Sequence, residues 1–526
     1  MLPLFLAGLL GLVAAAPQDL SLNDYVTAQT NAALSGIAKN SVDFPGVIAA
    51  SLARDTARPG ESGGQNYYYQ WTRDSALTMR TIINQYASGD KSLDAFIRQY
   101  IKNEYDLQRL VTLSGNFSTG GLAEPKYYMN GTAFNDPWGR PQRDGPALRA
   151  IAILGYLSTQ TDAAYIKNVL DTVVKPDLDY VAANWKAPGF DLWEERNGTH
   201  FFTAMVQARA LADGASVFKS EYYAAQEVQL GSYLDTFWNS SSTGTFMSML
   251  NSTKPTGTDC GNLLGAIHGS HRYRPSNDKV LASTATLIDE MTGLYNISGS
   301  TPLIGRYPSD VYDGIQSSQG NPWFLCMSAV AETLYLAATE LKQANAAVQV
   351  NDINRNFYKK LNISASVSAS DLPSLTAAFG RYADRFLALQ QRYVGANFSM
   401  SEQINRTTGI QQGARDLTWS YAAFVSAARA RAGQLSYSFA VGVPGNAVSN
   451  GRIGAGTADA STGLTLALAS GVAANVTGGV IGAATGVPVA IANAAIGAVP
   501  ASSMATGRLH ASVLSSVAVL GLVLWL

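Results

Sequence analysis

The chain predicts an all-α fold, and three observations carry that prediction. Apolar residues recur at spacings of three and four through most of the stretch from about Leu20 to Ala432. The segments so marked number about a dozen. The loops between several of them are longer than a compact bundle requires, and Trp, Arg, Asp and Gly concentrate there, as in loops that carry function.

In chain order, helical spacing marks 23–39, 76–86, 93–111, 147–157, 165–185, 202–218, 222–238, 280–295, 323–341, 375–393 and 417–430. Five loop segments pair aromatic residues with charges: YYYQWTRDSA at 67–76, WGRPQRDGPALR at 138–149, GFDLWEERNG at 189–198, GRYPSDVYDG at 305–314, and MSEQ with ARDLTWSYAA within 400–423. Each precedes or joins a helical segment. If the helices close into a ring, five helix ends converge on one pocket.

The 526 residues carry a net charge of -1, which gives no footprint for nucleic acid. Charged residues are 14% of the chain, well under the roughly 25% of ordinary soluble domains. The two cysteines, Cys260 and Cys326, allow one disulfide at most and make a thiol or zinc centre improbable, so core packing must carry stability. Residues 1–16 form an apolar run followed by Ala14, Ala15 and Ala16, which predicts a signal peptide. Residues 501–526 place small residues before an apolar tail, the order of a glycolipid-anchor signal with Asn493 or Ser502 as attachment site and the membrane as partner; a C-terminal membrane helix is the alternative, though the apolar run is short of the roughly 20 residues that span. Between them, 436–500 is rich in Gly, Ala, Ser and Thr and suits a linker or irregular extension. Sequons at Asn116, Asn130, Asn197, Asn239, Asn251, Asn296, Asn362, Asn397, Asn405 and Asn475 predict glycosylated surface loops.

The chemistry centres on GFDLWEE, where Asp191, Glu194 and Glu195 stand beside Trp193, with Glu402 far downstream. Hydrolysis of a glycosidic bond needs two carboxyls across the scissile linkage, one protonated and one ionised. Taken singly, an EE pair is usually a solvated helix face, Arg73 with Asp74 an ion pair or cap, and a tryptophan a core residue.

Together and in this order, the five segments resemble the fungal glucoamylases of glycoside hydrolase family 15, exo-acting enzymes on α-1,4-glucans. The resemblance covers about Leu20 to Ala432. It implies an (α/α)6 barrel over 17–435, a monomer, starch and maltooligosaccharides as partners and no cofactor or metal. It makes Glu194 the general acid and Glu402 the general base of an inverting reaction, with the carboxyls roughly 6.5 to 9.5 Å apart. Arg73, Asp74, Glu195 and Arg306 correspond to sugar-hydroxyl contacts. Tyr67, Trp138, Leu192, Trp193, Trp323 and Trp419 correspond to the lining. Arg143 and Asp144 keep a structural reading.

Further expectations concern titration and specificity. Trp193, Asp191 and Glu195 should raise the Glu194 pKa against Arg306, and Glu402 should stay ionised, which predicts a mildly acidic optimum. A Cys260–Cys326 link is doubtful, because Cys326 matches an unpaired position in relatives. The loop ending at Trp323 looks longer than the family's. Action on α-1,6 bonds or trehalose, or a silent glucan-binding surface glycoprotein, are the alternative functions.

Overall fold

The computed structural model describes residues 16–57, 64–240, 244–250 and 257–434. The signal and anchor segments, residues 436–500, and the sequons at Asn251 and Asn475 lie outside the described residues. The described helices are α1 (Leu22–Lys39), α2 (Thr72–Ala87), α3 (Asp94–Gln108), α4 (Asp144–Leu157), α5 (Ala163–Val169), α6 (Lys175–Asn184), α7 (Phe201–Phe218), α8 (Glu221–Leu234), α9 (Cys260–His268), α10 (Asp278–Met291), α11 (Phe324–Ala344), α12 (Arg355–Lys360), α13 (Leu372–Tyr393) and α14 (Thr418–Arg431).

Packing among them closes a ring. Helix α2 lies on α4, α4 on α7, α7 on α9, α9 on α11, α11 on α14, and α14 returns to α2. Outside this ring, α1 packs on α14, α3 on α2, α6 on α4, α8 on α7, α10 on α9 and α13 on α11. Six helices inside six is the expected (α/α)6 barrel. An inner helix is covered on all sides, so it needs no polar stripe. Every residue of α4 from Asp144 to Leu157 is buried, for example, and that accounts for the low charge content of the chain. Helix α11 is long and apolar enough to cross a membrane, yet it is buried from Phe324 to Ala337 as part of the inner ring.

Two departures from the sequence pattern have physical causes. The segment 165–185 is not one helix: a π-turn at Leu170–Val174 separates α5 from α6. Pro176 has no N–H and its ring crowds the carbonyl four residues back, and the wider turn absorbs both effects. Helix α9 was not anticipated, because Cys260 through Ile267 are all buried and no polar face gives it a period. Asp259 caps it by accepting from the Gly261 N–H.

The strands are short antiparallel pairs in the loops at the start of inner helices. Strand β1 (Tyr69–Trp71) pairs with β2 (Lys126–Tyr128) and sets Trp71 opposite Lys126. Strand β3 (Gly189–Phe190) pairs with β4 (Asn197–Gly198), making GFDLWEERNG a hairpin whose turn carries the candidate acid.

Candidate active site

Within that hairpin turn Asp191 is the organiser. Its carboxylate accepts the N–H groups of Glu195 at 2.7 Å and Arg196 at 3.0 Å, and its carbonyl accepts the Glu194 N–H. The turn forces Glu194 to a φ of 66°, a left-handed conformation that a non-glycine residue adopts at a cost. The two preceding residues both turn to the start of α9. Leu192 is buried against α9, close enough that a Cβ at Gly261 would lie 3.0 Å from its Cδ2. Trp193 donates its indole N–H to Asp259 at 2.9 Å.

Glu194 is held by four donors. Oε1 accepts from Trp71 Nε1 at 2.8 Å, Gln142 Nε2 at 3.0 Å and Arg73 Nη2 at 3.3 Å, and Oε2 accepts from Trp138 Nε1 at 2.9 Å. The surroundings expected for this carboxyl are therefore corrected: Trp71 and Trp138 flank it in place of Trp193, and its guanidinium neighbour is Arg73. Arg306 goes elsewhere. Its Nη2 donates to Glu195 at 2.7 Å and to Asp310 at 2.6 Å, and Tyr307 supplies a second donor to Glu195 at 2.6 Å. Burial opposes the charge on Arg306, yet its carboxylate partners hold its pKa above the usual value.

Arg73 starts α2 beside the mouth of the ring and is 4% exposed. Its Nη1 donates to Asp144 at 2.9 Å and to Gln142 at 2.9 Å. Asp144 keeps a structural reading with a different partner: it is the buried counter-ion of Arg73, not of Arg143. Arg143 keeps its structural part, donating to the Pro188 carbonyl at 2.9 Å. Asp74 stands 3.9 Å from Arg73 Nε, and burial pushes its pKa up to about 7 against the pull of the arginine.

Glu402 approaches from the strand pair β5 (Gln403–Ile404) and β6 (Gln411–Gln412). It is 2% exposed. Tyr67 donates to Oε1 at 2.7 Å and Gln403 to Oε2 at 3.2 Å, while Tyr312 meets the Tyr67 hydroxyl at 2.7 Å. The backbone comes close as well: at Gly413, with a φ of 76°, an added Cβ would stand 2.5 Å from Glu402 Oε2. Only glycine fits that conformation and that gap. Burial lifts the Glu402 pKa to about 7, and Tyr67, Arg306, Tyr312 and Gln403 pull it back only in part. The expectation of a carboxylate ionised at mildly acidic pH is corrected accordingly.

One short segment connects the two carboxyls. Tyr67, on Glu402, and Trp71, on Glu194, have ring centroids 5.8 Å apart. Between these carboxyls and the core, Trp193 stacks on Trp419 at 6.2 Å and meets Trp323 at 5.7 Å. The Arg306 guanidinium lies over Trp323 at 5.3 Å and Tyr312 at 5.2 Å. Two buried donors here have no acceptor among the described residues, Arg73 Nε and Trp323 Nε1. Such orphans are costly unless a ligand meets them.

All the residues expected at the site are thus placed in or directly behind one cluster, with Leu192 contributing a core side chain. Trp71, Gln142, Tyr307, Asp310, Tyr312 and Asp259 were not singled out. Five of these six stand inside the quoted loop motifs, so the motifs were legible while the partner of each atom was not. The cysteines are both buried and free, and a thiol–thiol hydrogen bond brings them together. Of the described sequons, Asn116, Asn130, Asn197, Asn296, Asn362 and Asn397 are exposed, while Asn239 and Asn405 are partly buried.

Comparison with known proteins agrees with this geometry. The family description "Glycosyl hydrolases family 15" matches residues 27–429. The chain is 35% identical over 485 residues to Glucoamylase-1 of Schizophyllum commune, spanning 85% of this chain and 81% of that one. It is 34% identical over 429 residues to the probable glucoamylase of Schizosaccharomyces pombe, spanning 78% and 92%. Among solved structures, the Saccharomycopsis fibuligera glucoamylase superposes with a TM-score of 0.74 at 30% identity, covering 80% of this chain and 98% of that one. The family 15 glucoamylase of Hypocrea jecorina gives 0.73 at 33%, covering 81% and 76%.

Proposed function

The chain belongs to glycoside hydrolase family 15 and is a hydrolase of the glucan 1,4-α-glucosidase type, and from that premise we propose that it releases β-D-glucose from the non-reducing ends of α-1,4-glucans by inversion. Glu194 protonates the glycosidic oxygen, and Glu402 removes a proton from the attacking water on the opposite face of the sugar. The observation that carries this reading is the pair of carboxyls held on adjacent rings, Trp71 and Tyr67, beside buried donors that lack acceptors.

The remaining groups sort into binding. Arg73 and Arg306, each fixed by a buried carboxylate, present forked donors to sugar hydroxyls, and Asp74 and Glu195 offer acceptors. A site built this way discriminates strongly, because a substrate lacking the right hydroxyl leaves a buried polar group unpaired. The rings of Trp138, Trp193, Trp323 and Trp419 present flat apolar faces to pyranose faces. Starch and maltooligosaccharides are the substrates, taken by a monomer.

Secretion and a lipid anchor at the outer surface are part of the same proposal, supported by the apolar segments within 1–16 and 501–526 and by the exposed sequons. The reaction is tested by following the anomeric form of glucose released from maltoheptaose by NMR. The parent should give β-glucose first, and Glu194→Gln and Glu402→Gln should each abolish it. Appearance of α-glucose first would overturn the inverting assignment.

A further inference from the structure

Lys126 lies outside every motif quoted above, and its surroundings are unusual for a lysine. It is 2% exposed, and its ammonium sits 3.5 Å from the ring centroid of Trp138, 4.1 Å from Tyr69, and 4.4 Å from both Trp71 and Phe134. No carboxylate among the described residues is within ion-pair distance of it. Two of the four rings, Trp71 and Trp138, are the ones whose N–H groups hold the two oxygens of Glu194. The β1–β2 register fixes this, with Lys126 directly across from Trp71.

A cation on the face of an indole is attracted to the ring, and it draws electron density away from the N–H on the edge, which strengthens that group as a donor. Through space its charge also favours an anion on the far side of the rings. We propose that Lys126 is a positioning residue for the general acid: caged by aromatic rings, its ammonium holds the Trp71 and Trp138 donors on the two oxygens of Glu194 and so fixes the orientation in which that carboxyl delivers its proton. This rests on Glu194 being the acid, as proposed above.

The charged groups around the pair are few. Arg73 contacts Glu194, with Asp74 and Asp144 behind it. Lys126 feels the charges of Glu194, Arg140 and Asp136, and burial lowers its own pKa to about 7, so at acid pH it carries its proton. Removing the ammonium leaves Arg73 as the cation on Glu194 and frees the two indoles from the charge that holds them, so the carboxyl is less well aimed at the leaving-group oxygen.

The test is kcat for the full chain, with maltoheptaose and with α-D-glucosyl fluoride, whose leaving group needs little protonation. In Lys126→Met, maltoheptaose kcat should fall about tenfold. Turnover of the fluoride should stay within about twofold, and Lys126→Arg should restore maltoheptaose turnover. If the methionine variant does not fold, Lys126→Gln carries the same expectations. Unchanged maltoheptaose turnover, or equal losses on both substrates, overturns the proposal. Glu194→Gln is run alongside: if it retains maltoheptaose turnover, the general-acid reading itself fails, whereas its inactivity beside unchanged Lys126→Met turnover sinks the lysine proposal alone.

Discussion

Tyr67 decides how far burial governs Glu402. Its hydroxyl donates to the carboxylate at 2.7 Å and so favours the ionised form against desolvation, which has already lifted the pKa to about 7. Tyr67→Phe deletes that donor, so the pKa rises further and the ionised base appears only at higher pH. The acid limb of kcat/KM should therefore move up by roughly one pH unit, read from initial rates on maltose between pH 4 and 9. A limb that stays in place or moves down would show that the hydroxyl does not act on Glu402. At this scale the sequence was legible for residues whose type states their chemistry, such as Glu194 and Arg306. It was silent about Trp71 and Lys126, because their parts arise from a strand pairing between segments with no pattern in common.

Among the elements, α4 shows how the two layers are tied. Arg149 on α4 donates to Asp177 on α6 at 2.6 and 2.7 Å and to Glu104 on α3 at 3.0 Å, with all three side chains fully buried. Arg149→Met keeps much of the volume and strands two carboxylates, so urea unfolding at pH 7 should show a loss of about 3 to 5 kcal/mol. Burial raises the pKa of both carboxyls, and losing the arginine raises them further. A carboxyl with a raised native pKa favours the fold at low pH, and that benefit is lost as pH rises through the raised value. The loss should accordingly shrink near pH 4; a deficit independent of pH would mean that packing and not charge is at stake. Amphipathic outer helices such as α13 were readable from their period. Helix α9 was hidden because complete burial erases the period, and yet it is the inner helix that joins α7 to α11.

For the whole molecule, the ring is complete within the described residues, since α14 returns to α2 and α1 closes over α14. Truncation after Gln434 should then leave the melting temperature within about 2 °C and glucose release from maltoheptaose within about twofold of the full chain. Loss of folding would overturn the proposed division of the chain at 435. The barrel itself was expected through a family likeness carried by five loop motifs; helix periodicity alone reached only the all-α class, because ring closure depends on which helices touch. One feature of the mouth has a wider effect. Since Tyr67 and Trp71 grip the base and the acid from a single ribbon, that ribbon works as a fixed caliper: any shift of its backbone moves both jaws at once. Arg306 and Tyr312 stand on another loop, and Tyr312 reaches the base jaw only through the Tyr67 hydroxyl, so a change there leaves the acid jaw where the ribbon holds it.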